Sequence, residues 1–102
     1  MEFCHIPVLL DECIDFLNIR PDGTYIDGTL GGAGHALHIA ERLDGRGVLI
    51  GIDQDDEAIH VSRQRLSDVK ARVMVVNDNF GNIKRILADN RIEAIDGALL
   101  DL

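Results

Sequence analysis

The chain has 102 residues, 46% of them hydrophobic and 27% charged, with a formal charge of −8. That length admits one domain with a real core, burying very roughly two-thirds of its unfolded surface. It contains no apolar run near the roughly 18 residues of a membrane span, and its acid excess argues against these residues alone gripping nucleic acid, because phosphate binding draws on clustered Lys and Arg.

Residues 1–5 lack the basic region and apolar core of a signal peptide, so a cytoplasmic location away from membranes is the expectation. Next, Leu9, Leu10, Cys13, Ile14, Phe16 and Leu17 recur at helical steps, which predicts an amphipathic segment lying on a sheet or beside a ligand site. Cys4 and Cys13 form neither a CxxC pair nor a metal-like spacing, and read as idle or buried thiols with no disulfide. The turn at Pro21, Asp22 and Gly23 then introduces the first of four short apolar runs suited to buried strands: Thr24–Asp27, Val48–Asp53, Arg72–Asn77 and 95–101.

Helical spacing fills the gaps between these runs. Ala36, Ile39, Ala40 and Leu43 share one face, Ala58, Ile59, Ser62 and Leu66 a second, and Phe80, Ile83, Ile86 and Leu87 a third. Gly45 or Gly47 suits the C-terminal cap of the first of these helices. Strands alternating with helices predict parallel pairing through right-handed crossovers, the start of a doubly wound α/β fold with about four parallel strands flanked by helices.

Function is most legible at residues 27–35. Gly28, Gly31, Gly32 and Gly34 are four glycines within seven positions, between a strand and a helix, more than chain reversal requires. Backbone N–H groups in such a loop face a nucleotide-like ligand. Asp53 closes the next strand nineteen residues after Gly34, the spacing at which an acid reaches ribose hydroxyls. A dinucleotide fingerprint fits less well, because Gly32 and Gly34 as its first glycines put Leu37 where the third belongs. A nicotinamide-dependent oxidoreductase therefore stands as the second reading.

The other polar residues read more plainly. Asp55, Asp56 and Glu57 suit the start of a helix, where they complement its dipole. Phe80 is either a core residue or one wall of an adenine slot; Asp101 is either a strand-end turn residue or lies by a reacting methyl group. His5, His35, His38 and His60 show no metal-binding pattern, and of them only His35 sits in the glycine loop. Lys84, Arg85 and Arg91 belong to a solvated face.

Taken in order, His5-Ile-Pro-Val-Leu-Leu-Asp-Glu12, Leu17-Asn-Ile-Arg-Pro-Asp-Gly23, Tyr25-Ile-Asp-Gly-Thr-Leu-Gly-Gly-Ala-Gly-His35, Gly51-Ile-Asp-Gln-Asp55 and Asp96-Gly-Ala-Leu-Leu-Asp-Leu102 resemble the ribosomal small subunit methyltransferase H family across essentially the whole chain. The resemblance implies a Rossmann-like class I methyltransferase fold and S-adenosylmethionine-dependent methylation of a cytidine N4 amine in 16S ribosomal RNA. It implies cofactor binding by Ala33, Gly34, His35, Asp53, Phe80 and Asp101, with Asp101 also the candidate catalytic residue and no metal. Ala33 departs from the glycine that many members carry.

Family members continue beyond Leu102, so residues 1–102 are expected to be the N-terminal part of the cofactor-binding domain, holding a cofactor half-site. Contacts with 16S ribosomal RNA or the small ribosomal subunit are then expected mainly from the part that follows. A non-catalytic α/β fragment, its fourth strand leaving an open sheet edge prone to self-association, is the third reading.

Overall fold

A computed structural model describes residues 2–6, 17–28 and 34–101, with the backbone alone for residues 2–6, 34, 100 and 101. The expected amphipathic segment lies outside the described residues except for Leu17, which is buried, and Cys13 lies outside them as well.

Five strands form one sheet: β1 (Glu2–Ile6), β2 (Thr24–Asp27), β3 (Val48–Asp53), β4 (Arg72–Asn77) and β5 (Gly97–Asp101). The helices are α1 (Gly34–Glu41), α2 (Asp56–Arg65) and α3 (Ile83–Asp89), the last entered through a 3-10 turn at Phe80–Asn82. Strand order is β1-β5-β2-β3-β4, and every pair is parallel. The chain winds outward from β2 through β3 to β4 and then returns to the far side of β2 as β5. The order thus reverses at β2, the switch point outside whose carboxyl end ligands bind in open α/β sheets.

Successive side chains leave a strand on opposite faces, so a sheet covered on both sides needs runs that are apolar throughout. Tyr25, Leu49 and Leu99 pack on one face with Ala36, Ile39 and Ala40 of α1 and Ile59 of α2. Their neighbours Ile26, Ile50 and Ala98 pack on the other with Ile86, against which Ile83 and Leu87 of α3 also lie. Each expected helical face is thus turned to the sheet.

Three expectations change. The fourth run enters the sheet at Gly97 rather than at 95, because the Asp96 N–H and carboxylate bond Thr24 instead of extending a ladder. That strand is not an edge either, since β1 pairs with β5 from Glu2↔Gly97 to Ile6↔Asp101 and β2 flanks its other side. Nor does Gly45 or Gly47 adopt the left-handed φ of a helix C-terminal cap. Gly47 is required for space instead: a Cβ there would stand 2.7 Å from both Pro21 O and Leu43 Cβ. Arg91 (φ 59°) takes the left-handed position after α3, where its N–H donates to Ala88 O and that of Ile92 to Leu87 O.

Candidate functional site

The carboxyl ends of β2, β3 and β4 open onto a cleft of about 330 Å³ lined by Gly28, Ile52, Asp53, Gln54, Asp78, Asn79 and Phe80. That volume lies within the range of small-molecule sites. Parallel pairing aligns the strand ends that build it: Asp27 stands opposite Gly51, and Asp53 opposite Asn77.

Asp53 is half-buried at the end of β3, where its Oδ1 accepts the Asp55 N–H at 2.9 Å. Its backbone carbonyl accepts the Asp78 N–H at 3.0 Å, which joins the ends of β3 and β4. Asp55 is the N-cap of α2, accepting the Glu57 N–H at 3.0 Å, and Asp56 with Glu57 fills the acidic first turn. That arrangement agrees with the structural role expected of these acids; Asp56 also accepts a bond from the Asn77 amide.

Phe80 packs against the core cluster of Ile26, Ile50 and Ile86, and it also lines the cleft. It also borders an apolar groove of about 380 Å³ formed with Ile26, Ile83, Leu87, Ile95 and Ala98. Gly34 opens α1, and His35 is half-buried in that helix's first turn. Asp101 is the last residue of β5, opposite Ile6. Ala33 lies outside the described residues, as do Gly31 and Gly32. Leu37, at the place of the absent third glycine, packs against the core on the α1 face.

Gln54, Asp78 and Asn79, none of them singled out in the sequence, line the cleft as well. Their position just past the ends of β3 and β4 is the signal that marks them. Asp78 Oδ1 accepts from the Asn79 N–H and the Asn82 amide, each at 2.7 Å, and Oδ2 from Arg85. The Asn82 amide, then the Asn79 N–H, with the Arg85 charge adding to both, hold the Asp78 carboxyl below the usual carboxylate range. Among the described residues the lining therefore carries two acids and no Lys or Arg. No group of three or more His, Cys, Asp or Glu suited to a metal occurs among the described residues. Nor is any helix among them long and apolar enough to cross a membrane.

A model of the MraW methylase family matches residues 2–102. Ribosomal RNA small subunit methyltransferase H of Acetivibrio thermocellus is 56% identical over 104 residues, an alignment covering 100% of this chain and 33% of that protein. The protein of the same name from Lachnospira eligens is 54% identical, with 100% and 32% covered; that from Clostridioides difficile is 51% identical, with 100% and 33% covered. The chain thus spans about a third of the length of these curated relatives. A crystal structure carrying the name rRNA-methylase, from Clostridium thermocellum, superposes with a TM-score of 0.70 at 24% identity, over 78% of this chain and 45% of that one. At that identity it speaks to the fold alone, a Rossmann-like methyltransferase fold.

Proposed function

The chain belongs to the MraW methylase family, and from that premise we propose that it supplies the N-terminal part of an S-adenosylmethionine-dependent methyltransferase acting on the N4 amine of a cytidine in 16S ribosomal RNA. One observation carries the cofactor reading: the cleft at the strand ends presents Asp53 and Phe80 together, an acid for ribose hydroxyls and an aromatic face for a base. A dinucleotide also calls for a third glycine where this chain has Leu37, packed against the core. A ligand of adenine, ribose and a sulfonium brings no phosphate, and its positive charge suits an acidic wall.

In this reading Asp53 accepts hydrogen bonds from the two ribose hydroxyls, Phe80 covers one face of the adenine, and the loop residues Ala33, Gly34 and His35 let backbone approach the ligand. When bound, S-adenosylmethionine supplies a methyl carbon activated by a sulfonium. The chain's own contribution is orientation, in a site matched to charge that fades during transfer. Asp101, the last residue of β5, is in this reading the acceptor for a proton of the amine, whose lone pair is delocalised into the cytosine ring. The target base must be unpaired or flipped out to reach it.

Ribosomal RNA is the proposed partner, held mainly outside these residues as their charge of −8 favours, in a cytoplasmic setting. Calorimetric titration with S-adenosylhomocysteine and with NAD tests the reading: the first should bind and the second should fail to displace it. Absence of S-adenosylhomocysteine binding, or NAD winning the competition, would sink it.

A further inference from the structure

Asp78 is a heavily bonded side chain on the cleft wall. Three donors converge on its two oxygens: the Asn79 N–H and Asn82 Nδ2 on Oδ1, and Arg85 on Oδ2. The carboxylate side chain is 21% exposed and the guanidinium side chain 62%, so the acid faces the cleft while its cation stands outside. Exposed ion pairs add little to stability, so the Arg85 bond is poorly accounted for as a fold stabiliser. Asn82, in the 3-10 turn that Asn79 caps, turns its Nδ2 back to Asp78 and so holds the carboxylate from the helix side.

We infer that Asn82 and Arg85 are positioning residues for the nucleobase end of the cleft, fixing Asp78 beside Phe80 as a rigid acceptor that selects a purine edge bearing an amino group. The inference rests on the reading of the cleft as an S-adenosyl site and adds the feature of the base that is recognised. An ionised carboxylate offers about four lone-pair directions and no donor. Three are taken by the chain's own donors, which leaves roughly one for a ligand. The 6-amino group of adenine fills it. The 6-oxo group of hypoxanthine would instead set one acceptor against another, at the cost of an unmade bond to a charged group.

Calorimetry with S-adenosylhomocysteine and its deaminated counterpart, S-inosylhomocysteine, separates the possibilities. The wild-type protein should prefer the amino ligand by about tenfold to a hundredfold, the range for one hydrogen bond to a charged group. Asp78→Asn should abolish the preference. Arg85→Met should reduce it several-fold with an almost unchanged melting temperature, and Arg85→Lys should restore part of it. Asn82→Ala, with its fold checked by circular dichroism, should also reduce it. Equal wild-type affinity for the two ligands overturns the inference alone, as does an Arg85→Met variant that weakens both in the same proportion, the mark of a merely structural role. Failure of both ligands to bind overturns the cofactor reading, and this inference with it.

Discussion

Thr24 and Asp96 bond each other twice: the Thr24 N–H donates to Asp96 Oδ2 at 2.8 Å, and the Asp96 N–H donates to Thr24 O at 2.8 Å. The first rungs of the β2–β5 ladder follow directly, at Tyr25↔Gly97 and Ile26↔Ala98. This clasp sets which residue of β5 reaches the carboxyl end beside Asp27. Asp96→Ala should therefore destabilise the fold by about 1–3 kcal/mol, the range for a partly buried N–H left without its acceptor. Most of that loss belongs to the Thr24 bond, because Arg20, the other partner of Asp96, has a side chain 63% exposed. Urea unfolding of Asp96→Ala and Arg20→Ala would separate the two, and a larger loss in Arg20→Ala would contradict this account.

Gly47 joins the start of β3 to the turn after α1 under tight packing. Its N–H donates to Asp44 O and its carbonyl accepts the Arg72 N–H. An added methyl would meet a backbone oxygen and a buried leucine at 2.7 Å, and neither yields cheaply. Gly47→Ala should cost about 1–3 kcal/mol, as overpacking does, read as a fall in the thermal midpoint. An unchanged midpoint would mean that the turn relaxes freely.

The strands were legible because each run is short, largely apolar and ended by Asp or Asn, so β2, β3 and β4 carry their expected bounds. Glu2–Ile6 escaped notice because its partner, Gly97–Asp101, lies almost a chain length away, and five residues contain no local sign of a distant pairing. In the site, Asp53 and Phe80 stood out by spacing and type. Asp78, Asn82 and Arg85 did not, because their meaning lies in bonds among residues four and seven positions apart across a turn that sequence reads as ordinary. Gly47 was read as a flexible cap because sequence shows a missing side chain but not the atoms crowding its place.

Ser62 is fully buried in α2, and its Oγ has no hydrogen-bond partner among the described residues. A buried hydroxyl in that state carries a desolvation cost with nothing to offset it, and alanine is the better helix former. Ser62→Ala should raise stability by about 0.5–1.5 kcal/mol, measured from the urea midpoint at constant m-value. A loss of stability would reveal a bond that the hydroxyl makes in solution.

Asp53 closes β3 on the cleft wall, where a charged acceptor serves two ribose hydroxyls in the proposed complex. Asp53→Ala should weaken S-adenosylhomocysteine binding by about 1.5–3 kcal/mol, or about tenfold to a hundredfold. The local turn would also lose the Asp55 N–H bond. Asp53→Asn retains a side-chain oxygen there, so it separates the two effects: binding should fall while the unfolding midpoint stays near that of the parent. Unchanged binding in both variants would remove Asp53 from the site.

Acid should unfold this chain partly through Asp78 and Asp44. Asp78 is held below the ordinary aspartate value of 3.8 first by the Asn82 amide, and Asp44 first by the Arg46 N–H. Since the folded values are lower, the unfolded chain takes up these protons first. The stabilisation is fully present above 3.8 and is lost as pH falls through the depressed folded values. Urea midpoints followed from about pH 6 down to about pH 3 should decline through that window, and Asp78→Asn, which cannot titrate, should show a shallower acid limb than the parent. An identical slope in the two proteins would mean that Asp78 binds its proton equally well folded and unfolded. The bonds from Asn79, Asn82 and Arg85 would then not hold in solution.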